Sequence, residues 1–354
     1  MALQLTANEQ RDELSAQRRQ VDFDTYDVTV DELLRRVQRK RIDIAPVYQR
    51  QFRWDTERQS TLIESVLLGI PIPPLFMATN IDANKQNRWE VVDGLQRLLT
   101  LVNFAGDQKT RTSAKLTTDR LTLSKLEKLE SFNRCTFESL PEDIRSAFED
   151  RPLKIIILND KSQLQVRFDL FERLNTGGIA LTQQEIRECV YRGDFVDLLG
   201  ELADSDDFKR VVILPEARTK DGTPKDFVLR YFAYSEAYAD FEHIVKDFLK
   251  AFMEDAFENP RTEERKEKFH RTFRYLSACF PEGIKTRKGQ TPVNLYEALS
   301  AGAALALSQE PDLQPPSDLE WVESPELKHL VTGATNSRPR VRDRIEFCRD
   351  KFIG

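Results

Sequence analysis

The chain has 354 residues, of which 40% are hydrophobic and 32% are charged, and its formal net charge is −6. This composition describes a globular protein with a real core and a heavily charged surface, organised as one large or two modest domains. No apolar run approaches the roughly 20 residues that cross a bilayer, and the polar N-terminus does not resemble a signal peptide. We therefore expect a cytoplasmic protein that makes no membrane contact.

Cysteine and histidine usage gives no sign of a metal centre. The four cysteines are far apart and form no C-x-x-C pair, which argues against a disulfide framework and a zinc cluster. His243, His270 and His329 lack H-E-x-x-H or H-x-H spacing. The negative net charge also argues against a general affinity for nucleic acid, so any DNA contact has to be local.

Helix and strand patterns alternate at the start of the chain. Residues 1–27 are polar and predict an arm or a solvated helix. A helix should follow Thr29, which has capping-box spacing to Glu32. Residues 41–48 then alternate like a strand until Pro46 interrupts the pattern.

The next elements lead into a polar turn. Residues 56–74 predict a helix that ends at Gly69. LFMATN (75–80) and RWEVVDG (88–94) predict two short strands that can pair as neighbours. The leucine-rich run that follows predicts another helix.

Later segments divide the chain in two. We predict a helix opened by Pro141, an apolar strand at 152–160, and two helices separated by a glycine turn, the second with a capping box from Thr182 to Glu185. From about Phe195 onward the pattern is nearly all helical. The predicted organisation is a polar arm, a mixed α/β domain and a helical domain, at residues 1–27, 28–195 and 196–354.

The segment DGLQR, residues 93–97, places an arginine in the first turn of a predicted helix. The unpaired N–H groups and the dipole make a helix start positive, so a cation there predicts an anion nearby. One interpretation is structural, with Asp93 capping the helix and Gly94 forming the turn. The other is a phosphate site formed by the first-turn N–H groups together with Gln96 and Arg97.

Two further segments carry candidate ligands. In PVYQRQFRW (46–54), Gln49 and Arg50 can meet the same phosphate while Trp54 stacks on a base, or the segment is a loop anchored on the core. In ERLNTGG (172–178), Arg173 and Asn175 can project into a cleft, or the glycines simply end a helix. The chain contains no P-loop sequence.

The order YQRQFRW, LIESVLLGIPIPPLFM, EVVDGLQRLLTL and FERLNTGGIALTQQEIR resembles the N-terminal domain family of GmrSD-type modification-dependent restriction proteins. That family is similar in fold to ParB and sulfiredoxin, and its hallmark is a DGQQR box. The resemblance covers residues 28–195. It implies an α+β fold, namely a small ParB/sulfiredoxin-like domain followed by a mainly helical one, and a module that binds or hydrolyses a nucleotide in defence against foreign DNA.

The resemblance also implies roles for the residues that match the family's motifs. Arg97 and Arg50 would hold the phosphates of a nucleoside triphosphate, Gln96 would orient them or a water, and Asp93 would cap the turn or hold Mg²⁺. The other matching residues are Gly94, Gln49 and Asn175. Leu95 stands where the family has its first glutamine, so we expect binding to survive and hydrolysis to be weakened.

These expectations define a sensor or regulatory subunit of a restriction or antiphage system. The C-terminal half has no histidine grouping of the HNH kind, so we expect the nuclease or other effector to be a separate protein. The alternative is a catalytically degenerate scaffold or antitoxin-like partner that uses the same pocket. DNA contacts are expected through the basic stretches 35–41 and 337–344, or these are solvated faces. The oligomeric state stays open, with a homo-oligomer among the expectations.

Overall fold

The computed structural model describes residues 7–17, 23–44, 54–81, 87–159, 173, 182–191, 193–219, 221–285, 289–316 and 318–354. By their contacts, the residues of the chain divide into two compact units, 1–180 and 181–354.

The first unit is built on a five-stranded mixed sheet. Its strands are β1 (Phe23–Thr29), β2 (Ile42–Asp43), β3 (Leu75–Ile81), β4 (Asn87–Asp93) and β5 (Pro152–Leu158). Their order is β1-β5-β3-β4-β2. The pairs β1/β5 and β3/β4 are antiparallel, and the pairs β3/β5 and β2/β4 are parallel. The predicted pairing of β3 with β4 is confirmed.

The N-terminal edge of the sheet differs from the sequence prediction. The polar arm was predicted to reach residue 27, but Phe23–Thr29 forms the edge strand β1. Five of its seven residues are exposed, so the sequence lacks the alternation that marks a half-buried strand, and the apolar strand β5 supplies the pairing surface. Before it, Ala7–Gln17 forms a helix, α1, which agrees with the solvated helix considered for the arm.

Helices complete the first unit, and several of them have the start or stop signals predicted from the sequence. Those of the first unit are α2 (Val30–Gln38), α3 (Thr56–Leu68), α4 (Leu95–Ala105), α5 (Gln108–Ser113) and α6 (Glu142–Glu149). Thr29 Oγ1 accepts from the Glu32 N–H at 3.2 Å, as its spacing predicts. Gly69 ends α3 in the left-handed conformation, with φ 72°. Apolar faces of these helices and of the sheet form one core, which includes Leu33, Ile63, Met77, Leu98, Val102 and Ile155.

The second unit is mostly helical. Its helices are α7 (Gln183–Val190), α8 (Asp194–Ala203), α9 (Asp206–Val211), α10 (Glu216–Thr219), α11 (Thr223–Ala237), α12 (Val245–Glu258), α13 (Thr262–Cys279), α14 (Val293–Gln309), α15 (Pro325–Val331) and α16 (Arg338–Ile353). The predicted capping box between Thr182 and Glu185 is present at the start of α7. Because α7 packs on α11 and α12, the contact boundary falls before it, whereas the sequence places the boundary near residue 195.

The predicted fold class is confirmed, since a mixed sheet with helices precedes a mainly helical region. In the part of the chain that the structure describes, no helix has the length and apolar character needed to cross a membrane.

Candidate functional site

The candidate site is built where β4 ends at Asp93 and α4 begins at Leu95. Gly94 joins them in the left-handed region, with φ 95°, and it is buried. A Cβ at this position would lie 2.3 Å from Leu75 Cδ2 and 3.2 Å from Arg97 Cζ. Both the backbone conformation and the space therefore require glycine at the junction.

Arg97 ties three segments together at this junction. Its Nη2 donates to Asp93 Oδ2 at 2.5 Å. Its Nη1 donates to the carbonyl oxygen of Pro74 at 2.8 Å and to that of Pro73. Only 11% of the Arg97 side chain is exposed. The guanidinium is thus held in one orientation, and Asp93 supplies part of the negative charge that an arginine in a first helical turn requires.

Asp93 does not take the capping role considered from the sequence. The N-cap residue of α4 is Gly94, which has no side chain to cap the first-turn N–H groups. The Asp93 carboxylate pairs instead with Arg97, four residues later, and 38% of its side chain remains exposed. The first turn of α4 therefore presents N–H groups beside an exposed carboxylate and a fixed guanidinium.

Gln96 connects the β4–α4 junction to Trp54, the last residue of the segment PVYQRQFRW. Its Oε1 accepts from the backbone N–H of Trp54 at 3.2 Å. The Trp54 carbonyl oxygen in turn accepts from Gln59 Nε2 at 2.8 Å. Trp54 is half-buried and belongs to the segment expected to join DGLQR. Gln49 and Arg50, the other candidate ligands of that segment, lie outside the described residues.

A buried polar chain continues from Trp54 into the interior. Asn103 Nδ2 donates to Gln59 Oε1 at 3.0 Å, and Arg111 Nη1 donates to Asn103 Oδ1 at 2.5 Å. All three of these side chains are nearly inaccessible to solvent. None of the three is predicted from the sequence, although Asn103 interrupts the apolar run LLTLVNF, which is the available signal. Their hydrogen bonds fix the backbone of Trp54, which contacts Gln96.

The remaining candidate residues of the first unit have separate outcomes. Leu95 is half-buried and packs against the core, as its spacing from Leu98, Leu99 and Val102 predicts. Arg173 is exposed. Asn175 lies outside the described residues.

A dedicated metal cage is not found in the described ranges, where no three or more His, Cys, Asp or Glu side chains gather into a potential metal site. Asp93 offers a single carboxylate beside the first turn of α4. Mg²⁺ commonly takes one or two carboxylates and completes its coordination with phosphate oxygens and water. The single Asp93 carboxylate fits Mg²⁺ only where other oxygen ligands complete the coordination.

Some arginines of the two basic stretches, 35–41 and 337–344, form ion pairs within the protein. In 35–41, Arg36 pairs with Glu32, and its Cζ lies 4.1 Å from the centroid of the Trp89 ring. In 337–344, Arg344 is fully buried and paired with Glu297, so this residue of the stretch does not face solvent. A cation buried on the inner side of α16 cannot contact an external phosphate.

Comparison with known proteins bears on the whole of this site. Residues 30–192 match the family described as GmrSD restriction endonuclease, N-terminal domain. No curated protein matches the sequence. The match includes Trp54, Asp93, Gly94, Gln96 and Arg97, and it indicates a component of a restriction or defence system. Residues 30–192 of this chain therefore belong to the GmrSD N-terminal domain family.

Proposed function

We propose that this chain binds and hydrolyses a nucleoside triphosphate at the β4–α4 junction, as the sensor or regulatory subunit of its restriction or antiphage system. The observation that carries the proposal is the start of α4, an 11-residue helix whose N-cap is a glycine without a capping side chain. Gln96 and Arg97 stand in the same first turn. Such a helix start favours an anion, and the family match supports a role in defence.

Each residue of the junction has a role in this proposal. A phosphate at the first turn accepts from the backbone N–H groups and from the guanidinium of Arg97, whose orientation is already fixed by Pro73 and Pro74. Gln96 orients the attacking water, which adds to the terminal phosphorus while the bond to the bridging oxygen breaks. Mg²⁺ bound with the nucleotide would neutralise phosphate charge, with Asp93 as its protein ligand.

The apolar side chain of Leu95 leads us to expect a low rate of hydrolysis. An apolar side chain that packs on the core cannot hold a water or a phosphate, so one polar group of the box is missing. We expect measurable binding and slow turnover.

The alternative function is a catalytically degenerate module that uses the same pocket as a scaffold or antitoxin-like partner. Steady-state phosphate release from ATP, GTP, CTP and UTP, with and without Mg²⁺ and DNA, separates the two. Mg²⁺-dependent release that is lost in Gln96→Ala supports hydrolysis. Binding without release under every condition supports the degenerate module.

The effector in this proposal is a separate nuclease. We accordingly expect the purified chain to leave modified and unmodified DNA intact in the presence of divalent metal ions. Cleavage that copurifies with the protein and is lost on substitution of His243, His270 or His329 would contradict this part of the proposal.

A further inference from the structure

The second unit contains a cavity of about 250 Å³ at the starts of three helices. Gln183 and Gln184 of α7, Thr223 of α11, and Val245 and Lys246 of α12 contribute to its lining. The N-cap residues of α11 and α12 make no side-chain capping bond. The start of α7 carries its capping box, and Asp221 Oδ1 accepts from the Thr223 N–H of α11 at 2.8 Å, so the start of α12 is the one of the three whose N–H groups no described side chain caps.

The charged side chains that line the cavity are also mainly cationic. They are Arg187, Arg230 and Lys246, with Asp226 as the only carboxylate among the lining residues that the structure describes. Arg187 Nη2 lies 2.6 Å from Asp226 Oδ1, and Arg230 Nε lies 2.6 Å from Asp226 Oδ2. One carboxylate thus holds two guanidinium groups side by side.

Buried partners keep this pair of guanidinium groups in place. Arg187 Nε donates to Gln184 Oε1 at 3.0 Å, and Arg230 Nη1 donates to Glu297 Oε1 at 2.5 Å. Glu297 is itself buried and paired with Arg344. Within the described residues, these bonds leave Arg187 Nη1 and Arg230 Nη2 without a hydrogen-bond partner.

Burial makes an additional anion favourable at this place. Only 2% of the Arg187 side chain is exposed, and burial lowers the pKa of Arg187 because the guanidinium loses its hydration. The guanidinium keeps its charge, because arginine side chains are not deprotonated in proteins. A bound anion would restore part of the stabilisation that water supplied.

We propose that this cavity is a binding site for a small anion that bears a phosphate group. Two prearranged guanidinium donors match the geometry of phosphate oxygens, and Lys246 adds a third cation beside the helix starts. The volume suits a phosphate group with a small organic part and is too small for a macromolecule. The cavity lies in the second unit, and phosphate binding there does not depend on nucleotide binding at the β4–α4 junction.

The test is a calorimetric titration of the full chain with inorganic phosphate in the millimolar range, at constant ionic strength. Lys246→Gln is the main variant, because Lys246 is only half-buried and its loss should leave the fold intact. Lys250→Gln, one turn later on α12 and outside the cavity lining, is the matched control. We expect Lys246→Gln to weaken phosphate binding by about tenfold or more and Lys250→Gln to leave it unchanged.

Two further variants locate the site. Arg187→Lys keeps the positive charge opposite Asp226 but loses the planar guanidinium with its paired N–H donors. We expect weaker phosphate binding, and a melting curve checks that the variant is folded. Arg97→Ala should bind phosphate at the cavity as the unmodified chain does. Absence of phosphate binding, equal affinity in Lys246→Gln and Lys250→Gln, or loss of binding in Arg97→Ala alone would overturn the proposal.

Discussion

Arg97 Nη2 and Asp93 Oδ2 lie 2.5 Å apart and join the first turn of α4 to the last residue of β4. The pair gives Arg97 two functions that have to be separated by experiment. First, Arg97 stabilises the junction through its bonds to Asp93 and to the carbonyl groups of Pro73 and Pro74. Second, Arg97 places a positive charge beside the start of α4. The same two residue types pair at the same spacing on α2, where Asp31 pairs with Arg35. Variants of Asp31 and Arg35 therefore serve as matched controls.

Asp93→Asn should reduce turnover more than it reduces binding. The change removes the carboxylate that we propose as the Mg²⁺ ligand, but it leaves the two proline carbonyl groups to orient Arg97. We expect lower phosphate release and equal or tighter nucleotide binding in EDTA, because Arg97 no longer shares its charge with a carboxylate. The stability cost should stay below about 1 kcal/mol, since the pair is partly solvated.

The control for this variant is Asp31→Asn, whose carboxylate is equally exposed and also pairs with an arginine four residues later. It should change neither release nor affinity. Nucleotide affinity can be compared in the presence of EDTA. If Asp93→Asn lowers it as much as Arg97→Ala does, Asp93 acts only by holding the arginine.

Gly94→Ala should destabilise the first unit by roughly 2–4 kcal/mol, because a left-handed backbone and a contact with Leu75 both oppose a Cβ. Urea unfolding measures the change in the free energy of unfolding. Gly200→Ala on α8 is the control, since its Cβ would meet Lys225 Cε at an ordinary 3.5 Å. That variant should be neutral or slightly stabilising. Equal stabilities for the two variants would refute the steric account of the junction.

Gln59→Leu should destabilise the chain by about 1–3 kcal/mol, because it leaves the Trp54 carbonyl group and Asn103 Nδ2 without their buried partner. Nucleotide affinity should fall as well, since Trp54 then holds Gln96 less firmly. Gln38→Leu removes an exposed hydrogen bond to Asp107 and should cost no more than about 0.5 kcal/mol. If Gln59→Leu unfolds at the same urea concentration as Gln38→Leu, the buried chain does not stabilise the junction.

Leu95→Gln restores the glutamine of the family's box and should raise turnover with little change in affinity, because a group that acts in the transition state alters rate more than ground-state binding. The half-buried position predicts a cost of about 1–2 kcal/mol. Leu95→Met keeps the apolar volume and should leave turnover unchanged. Steady-state phosphate release, measured beside equilibrium affinity, decides the matter. Brisk release by the unmodified chain, unaltered by the glutamine, would show that this position is dispensable.

The predictable and unpredictable parts of the fold differ in how local their causes are. Thr29, Gly69 and the capping box at Thr182 act within one helical turn, so their helices could be placed from the sequence. The strand β1 could not, because its exposed side chains carry no alternation and its partner β5 lies far along the chain.

The same distinction holds at the candidate site. The sequence indicates a polar cluster at residues 93–97, but it does not show that Arg97 meets the carbonyl groups of Pro73 and Pro74, which are more than 20 residues earlier. Gln59 and Asn103 are 44 residues apart and meet only after α3 and α4 have packed. Tertiary contact of this kind leaves no spacing signal.

Nucleotide binding through Arg97 is tested most directly by calorimetric titration with ATP, GTP, CTP and UTP, with and without Mg²⁺. The unmodified chain, Arg97→Ala and Arg35→Ala are compared below the unfolding transition of each, because Arg97→Ala also loses its bonds to Asp93, Pro73 and Pro74. We predict binding of at least one nucleotide, weakened by about tenfold or more in Arg97→Ala and unchanged in Arg35→Ala. No binding by the unmodified chain, or the same affinity in folded Arg97→Ala, would contradict the account.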